Sequence, residues 1–178
     1  MIAFITFETA VGFCGIAWNR NGDVVGVQLP EATDAATRRR LLRRHPDGRS
    51  ASPPPAVQDV IEAVVALLAG EHRDLSAVAL DMSDVPDFRR RVYEVARRIP
   101  PGSTSTYGAI ATELGDRLLA RDVGDALGHN RFPIVVPCHR VVAADGRLGG
   151  FSANGGAATK RKLLLIERAT SVPPSLFD

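Results

Sequence analysis

The segment Ser105-Thr106-Tyr107-Gly108-Ala109-Ile110-Ala111-Thr112-Glu113-Leu114-Gly115 runs on into Asp116-Arg117-Leu118-Leu119-Ala120-Arg121-Asp122-Val123-Gly124-Asp125-Ala126-Leu127-Gly128-His129. Its reading decides the architecture of the second half of the chain. Ser105 or Thr106 offers a side-chain oxygen to the free N–H groups that open a helix over 107–114. Gly115 turns the chain, and a second helix is expected over 119–129. Two short helices around a glycine-containing turn fit a helix-turn-helix unit; spacing alone leaves a plain helical hairpin open.

Working outward, Asp84 or Asp87 is placed to cap a helix running to Arg98, with Phe88, Val92, Val95 and Ile99 along one side. Pro100-Pro101-Gly102 stops it. After the helix pair, a short apolar stretch over 133–136 leads into Pro137-Cys138-His139-Arg140. Ala144-Asp145-Gly146 reads as a turn, 149–156 is glycine-rich, and a last helix is expected over 159–168, ahead of a proline-rich tail at 170–178.

The first part has a different rhythm. Residues 2–8, 13–18 and 24–29 read as strands, and Asn21-Gly22 is a hairpin signal because both residues tolerate positive φ. A helix with a basic face is expected over 31–44, a loop over 46–55, a helix over 56–69 with Pro55 in its first turn, and a strand over 78–82. The domains expected are therefore an α/β unit over 1–83, built on a small antiparallel sheet with helices, and a mostly α helix-turn-helix unit over 84–169.

Composition narrows the class. Hydrophobic residues make up 45% and charged residues 24%, as in a chain that buries a core. No apolar run approaches the ~20 residues of a membrane helix, and Met1-Ile2-Ala3-Phe4 lacks the basic start of a signal peptide, so a cytoplasmic protein with no membrane partner is expected. Cys14 and Cys138 read as free thiols, and the four histidines show no metal-ligand spacing. Neither Gly-Lys-Ser/Thr nor Gly-x-Gly-x-x-Gly occurs, so no cofactor and no metal are expected. Residues 1–83 hold 8 Lys+Arg against 10 Asp+Glu, whereas 84–178 hold 14 against 10. A basic bias in the second half fits a phosphate-contacting surface and equally fits ordinary scatter. The run Arg38-Arg39-Arg40 with Arg43-Arg44 is read first as a solvated helix face.

The chemistry concentrates at Cys138. A thiol reacts as thiolate, and an unperturbed pKa near ~8.5 leaves little of that form at neutral pH. The imidazole of His139 takes the proton, directly or through a water, if a carboxylate holds its other nitrogen; Glu167 is the candidate. A buried filler cysteine beside a core histidine is the alternative for an arbitrary Cys-His pair.

Ile134-Val135-Val136-Pro137-Cys138-His139-Arg140-Val141 resembles the active-site signature of the O6-alkylguanine-DNA alkyltransferases. Tyr107-Gly108-Ala109-Ile110-Ala111, Arg121-Asp122-Val123-Gly124 with Asn130, and Gly150-Phe151-Ser152 with 160–164 resemble further segments of that family, over about residues 86–168. The resemblance implies a ribonuclease H-like outline for the first domain and a helix-turn-helix that enters the minor groove of double-stranded DNA. A nucleotide is flipped out and Arg121 fills its place. The implied DNA contacts are Arg121, Tyr107, Thr106, Gly124, Ala126 and Arg131. Ser152, Phe151 and the Val141 carbonyl would hold the base, with Asn130 bracing the turn near Cys138 more than touching substrate. The alkyl group of O6-alkylguanine, and by extension of O4-alkylthymine, would pass irreversibly to Cys138, one turnover per molecule, with catalytic roles for His139, Glu167 and Tyr107. A monomer, with cooperative binding along DNA as an extension, is implied as well.

Four positions depart from the family's pattern: Arg131, Asp122, Phe151 and Tyr93. Asp122 is expected to repel phosphates, and Arg131 to loosen its turn or add a phosphate contact. A catalytically silent, lesion-sensing DNA-binding protein and a cysteine hydrolase are the competing classes. The first lacks the cysteine in the family's inactive members, and the second leaves Tyr107 and Arg121 unexplained.

Overall fold

The computed structural model describes residues 1–169, so the tail expected over 170–178 lies outside the described residues. The chain forms two compact units. The first is Met1–Val85 together with Arg131–Val135; the second is Pro86–Asn130 with the chain from Val136 onward. The expected contiguous division at residue 83 thus misses the return of Arg131–Val135 to the first unit. There the Val27 N–H donates to the Arg131 carbonyl at 2.9 Å, and Phe132 and Val135 are buried.

In the first unit, β1 (Ala3–Thr9), β2 (Gly12–Trp18) and β3 (Val24–Gln28) form an antiparallel meander. Every residue from Cys14 to Trp18 is buried. Successive side chains point to opposite faces, so both faces of β2 are covered. The β2–β3 connection is longer than the Asn21-Gly22 signal implied. Gly22 alone takes positive φ (86°), and the Asn19 side-chain oxygen closes the loop by accepting from the Asn21 and Asp23 N–H groups.

Helix α1 (Asp34–Leu42) is shorter than the 31–44 expected, because Thr33 caps it, its hydroxyl accepting from the Ala36 N–H at 3.1 Å. Its Leu41 packs with Phe4, Ala17 and Val25. The helix carries the chain across the sheet, so β4 (Arg49–Ser50) pairs with β1 in parallel. The sheet, of order β3-β2-β1-β4, is therefore mixed rather than antiparallel. Helix α2 (Pro55–Leu68) starts on Pro55 as expected and buries Val57, Val60, Ile61, Val64, Leu67 and Leu68. The strand expected over 78–82 is one bridge, Val24 to Leu80. Asp81 accepts from the Ser83 N–H and hydroxyl and from Asn19, which bends the chain off the sheet edge.

In the second unit, α3 (Asp87–Ala96) buries Val92, Tyr93, Val95 and Ala96. Neither Asp84 nor Asp87 caps it: Pro86 is the cap residue, Asp87 lies in the first turn, and Asp84 is paired with Arg131 within the first unit. β5 (Ser105–Thr106) leads into α4 (Tyr107–Glu113), whose first turn is capped by Thr106 through the Ala109 N–H. Gly115, at φ +106°, makes the turn. The expected helix over 119–129 is split. Asp116 accepts from the Leu118 N–H and starts a 3-10 turn at Arg117–Leu119, and α5 (Ala120–Gly128) follows. β6 (Val141–Val142) pairs in parallel with β5, and α6 (Ala157–Ile166) closes the unit, two residues earlier than expected. Among the described residues, no helix is long and apolar enough to cross a membrane.

One consequence is local. Gly12 sits at φ +124°, and a Cβ there would lie 3.0 Å from Pro30 Cβ; at Gly22, also at positive φ, it would meet nothing within 4 Å. Gly12→Ala should therefore destabilise by more than ~1 kcal/mol and by more than Gly22→Ala. Urea unfolding midpoints of the two variants check this ordering.

Candidate active site

The residues singled out at Cys138 meet within the second unit. Pro137 leads into a 3-10 turn, Cys138–Arg140, that points successive side chains in different directions. Cys138 is 8% exposed and lines a cavity of about 800 Å³. Tyr107, Arg121, Gly124, Phe151 and Ser152 share that wall, so six of the expected residues converge.

The next residue, His139, is buried. Its Nε2 lies 2.8 Å from Glu167 Oε1, which makes Nε2 the protonated nitrogen and leaves Nδ1 as the basic one. Nδ1 is buried and has no hydrogen-bond partner among the described residues. Glu167 itself stands one residue beyond α6, as its C-cap, rather than on the helix. Arg140 Nε and Nη2 donate to the two Glu167 oxygens at 2.9 and 2.8 Å, and Nη1 donates to the Ile99 carbonyl at 2.7 Å. Burial pushes the Glu167 carboxyl up, but the hydrogen bonds and charges of His139 and Arg140 outweigh it and hold the group at about 2.

Electrostatics set the resting state. Burial raises the Cys138 thiol above its ordinary value; a hydrogen bond with Asn130 and the charge of Lys160 offset this only in part. Burial likewise lowers His139, against the pull of Glu167. The pair at rest is a neutral thiol and a neutral imidazole, so His139 is free to accept a proton. Asn130 braces this turn, its amide donating to the Val136 carbonyl at 2.8 Å.

Two residues that matter here were not singled out from the sequence. Arg140 is the partner that keeps Glu167 ionised. Lys160 is 1% exposed, and its Nζ donates to the Val141 carbonyl at 2.6 Å and to Tyr107 Oη at 3.3 Å. Burial brings the Lys160 ammonium down to about 8, against the opposite pull that the thiolate form of Cys138 exerts. The signal was present: Lys160, Leu163, Leu164 and Glu167 follow the i, i+3, i+4, i+7 rule of a buried helix face.

Several expected residues sit elsewhere. Ala126 is buried, and its carbonyl accepts from Tyr93 Oη at 3.3 Å, so it does not reach the cavity wall. Tyr93, where the family's pattern differs, is thus a core hydrogen-bond donor. The Val141 carbonyl is already engaged by Lys160. Thr106 serves as the α4 cap. Arg131 belongs to the first unit, where both its terminal nitrogens bond Asp84 and its guanidinium lies over Phe132. It does not line the cavity. Asp122 lies in the first turn of α5, where a carboxylate complements the helix dipole. Gly149, at φ +74°, meets the Tyr107 ring so closely that a Cβ would lie 2.7 Å from Oη. Among the described residues, no group of three or more His, Cys, Asp and Glu is placed to hold a metal ion.

A thiol on the wall of a cavity faced by a capped helix pair, followed in the chain by a histidine that a buried carboxylate holds, defines a candidate group-transfer site. Comparison with known proteins is specific. Residues 87–169 match the family described as 6-O-methylguanine DNA methyltransferase, DNA binding domain. The chain is 43% identical over 127 residues to the methylated-DNA–protein-cysteine methyltransferase of Mycolicibacterium paratuberculosis, which covers 70% of this chain and 74% of that one. It is 38% identical over 116 residues to the enzyme of the same name from Methanothermobacter thermautotrophicus, covering 65% of this chain and 64% of that relative, just under two thirds of its length. The crystal structure of Mycobacterium tuberculosis OGT in complex with DNA superposes with a TM-score of 0.75 at 32% identity, over 99% of both chains. The chain belongs to the methylated-DNA–protein-cysteine methyltransferase family.

The folded pKa of Glu167 lies below its ordinary value of 4.5. Its ionised form therefore contributes stability in full above about pH 4.5, and that contribution is lost as the pH falls through 2. Glu167→Gln strands the buried Arg140 guanidinium and should cost roughly 3–5 kcal/mol at pH 7. Urea unfolding across a pH series should show both the loss and a flatter acid limb in the variant.

Proposed function

We propose that this protein repairs DNA by direct reversal, moving the alkyl group of O6-alkylguanine onto Cys138 in a single irreversible turnover. The observation that carries this reading is the Cys138 thiol on the cavity wall, followed by a His139 whose Nε2 is held by Glu167 while Nδ1 stays open. A cavity of about 800 Å³ falls within the ~300–1,000 Å³ usual for small-molecule sites, and it is far wider than an inert buried cysteine needs.

The target oxygen lies within the base stack, so the nucleotide must be flipped out at a cost of a few kcal/mol. Arg121, exposed near the start of α5 and on the cavity rim, suits the vacated place, since a guanidinium stacks and hydrogen-bonds at once. The helix pair and the small Gly124 and Gly128 on the cavity wall support entry from the minor groove. In the transfer, the thiol proton passes to His139 Nδ1 as sulfur attacks the alkyl carbon. The carbon–O6 bond breaks and its electron pair stays on guanine. Tyr107 Oη accepts from Lys160, so its own proton is free for the departing base, and Lys160 replaces it. The products are a thioether and an unmodified guanine. A thioether carbon bears no good leaving group, so the alkyl group stays on sulfur and each molecule turns over once.

Finer features follow the same reading. The order β3-β2-β1-β4 with a parallel β1–β4 pair supports a ribonuclease H-like outline for the first unit. Cys14 and Cys138 are both free thiols, which supports a reducing, cytoplasmic setting. The site is complete within one chain, which supports action as a monomer.

Incubation with duplex DNA containing O6-methylguanine should add one methyl to the Cys138 peptide, at one methyl per protein, read by mass spectrometry. Binding without that gain would sink the proposal. Cys138→Ser should abolish transfer and leave duplex binding intact. Lys160→Met should slow single-turnover transfer by about 10- to 100-fold. In the unsubstituted protein the rate should fall above about pH 8 as Lys160 loses its charge, and the variant should lack that fall.

A further inference from the structure

The first unit carries a charge pattern that the active site does not use. Over residues 1–83 acids outnumber cations, yet five of the eight arginines fall within residues 38–44. In α1 and its cap, Arg39, Arg40, Arg43 and Arg44 are all exposed. At ~100° per residue, positions i, i+1, i+4 and i+5 fall on one arc of about 140°. Thr37 and Leu41, both buried, anchor the other side, and Arg38 leaves the arc to lie over the Phe4 ring at 5.1 Å. Glu31 pairs with Arg40 at 3.3 Å, and Asp34 lies in the first turn, away from these positions. Among the described residues, no ion pair or hydrogen bond engages the side chains of Arg39 or Arg43.

A helix C-terminus favours cations, but the benefit is ~0.3–1 kcal/mol each and falls off within the last turn. One or two arginines satisfy it, and four on one arc repel one another. Such segregation in a unit of opposite net charge builds a local positive field, which suits a polyanion.

We propose that the arginine face of α1 is a second phosphate-binding surface, taking the backbone of duplex DNA without reading its sequence. The choice of DNA rests on the repair function proposed above; the charge complementarity rests on the helix alone. A surface of this kind contributes affinity through counterion release and holds undamaged duplex, since it needs no lesion.

The test is the salt dependence of binding to a lesion-free duplex, comparing the unsubstituted protein with Arg39→Ser/Arg43→Ser. Each lost phosphate contact removes ~0.9 from the slope of log K against log salt concentration, so the double variant should lose about 1–2. Arg39→Lys/Arg43→Lys keeps the charge and should keep most of the slope, which separates electrostatics from a folding defect. Transfer from the free O6-alkylguanine base should be the same in all three proteins. An unchanged slope in the serine variant overturns the proposal and leaves the face to an acidic protein or to solvent. A slope that falls equally in the lysine variant also overturns it. If the unsubstituted protein takes up no methyl but the slope still falls, the repair function fails and the DNA-binding face stands.

Discussion

The buried Glu167 carboxylate is the point at which the second unit is tied together. It receives hydrogen bonds from His139 and, through two nitrogens, from Arg140; Arg140 in turn reaches the Ile99 carbonyl. One side chain thus joins the end of α6, the Cys138–Arg140 turn and the end of the α3 segment. Removing such a carboxylate from water costs several kcal/mol, and only a full set of partners offsets that cost. The arrangement is therefore all or nothing: the charge is stable there only when the histidine and the arginine are in place. The same bonds that stabilise the fold fix the tautomer of His139, and so the direction in which it accepts a proton.

The rest of the site follows from that dry environment. Burial raises the Cys138 thiol and lowers His139, which favours the neutral form of each. The charge of Lys160 lowers the Cys138 thiol against the effect of burial. Burial leaves that ammonium close to losing its proton near neutral pH, which suits a group that must both hold and release one. Tyr107 is held from two sides: its hydroxyl accepts from Lys160, and its ring packs against Gly149, where any side chain would collide.

The first unit is organised by a mixed sheet and a helix whose two sides do different work. Leu41 and Thr37 hold α1 in the core, while its arginines collect on the opposite arc. Arg131–Val135 also belongs to this unit, and its Ile134 takes φ +74°, a costly conformation for a β-branched residue. That strain lies four positions before Cys138, in the stretch where the chain leaves one unit for the other.

Much of this was legible in the residues. The cap at Thr106, the Pro55 start of α2, the turn at Gly115 and the pairing of His139 with Glu167 are local or chemical signals, and such signals depend on the residue and its neighbours alone. Non-local geometry was not legible. The parallel β1–β4 pair, the loss of a strand over 78–82, and the capture of Arg131 by Asp84 depend on which segments meet, and a linear pattern does not state its partners. Arg140 and Lys160 show the same limit in the active site. Their charges were visible, but a charge reads as solvent-facing until burial and its acceptors are known. The sequence by itself determined the candidate nucleophile, the helix boundaries to within a few residues and the likeness to a known family. Only the tertiary structure decided which charges are buried and paired, because the cost of leaving water is set by the whole surrounding shell of atoms.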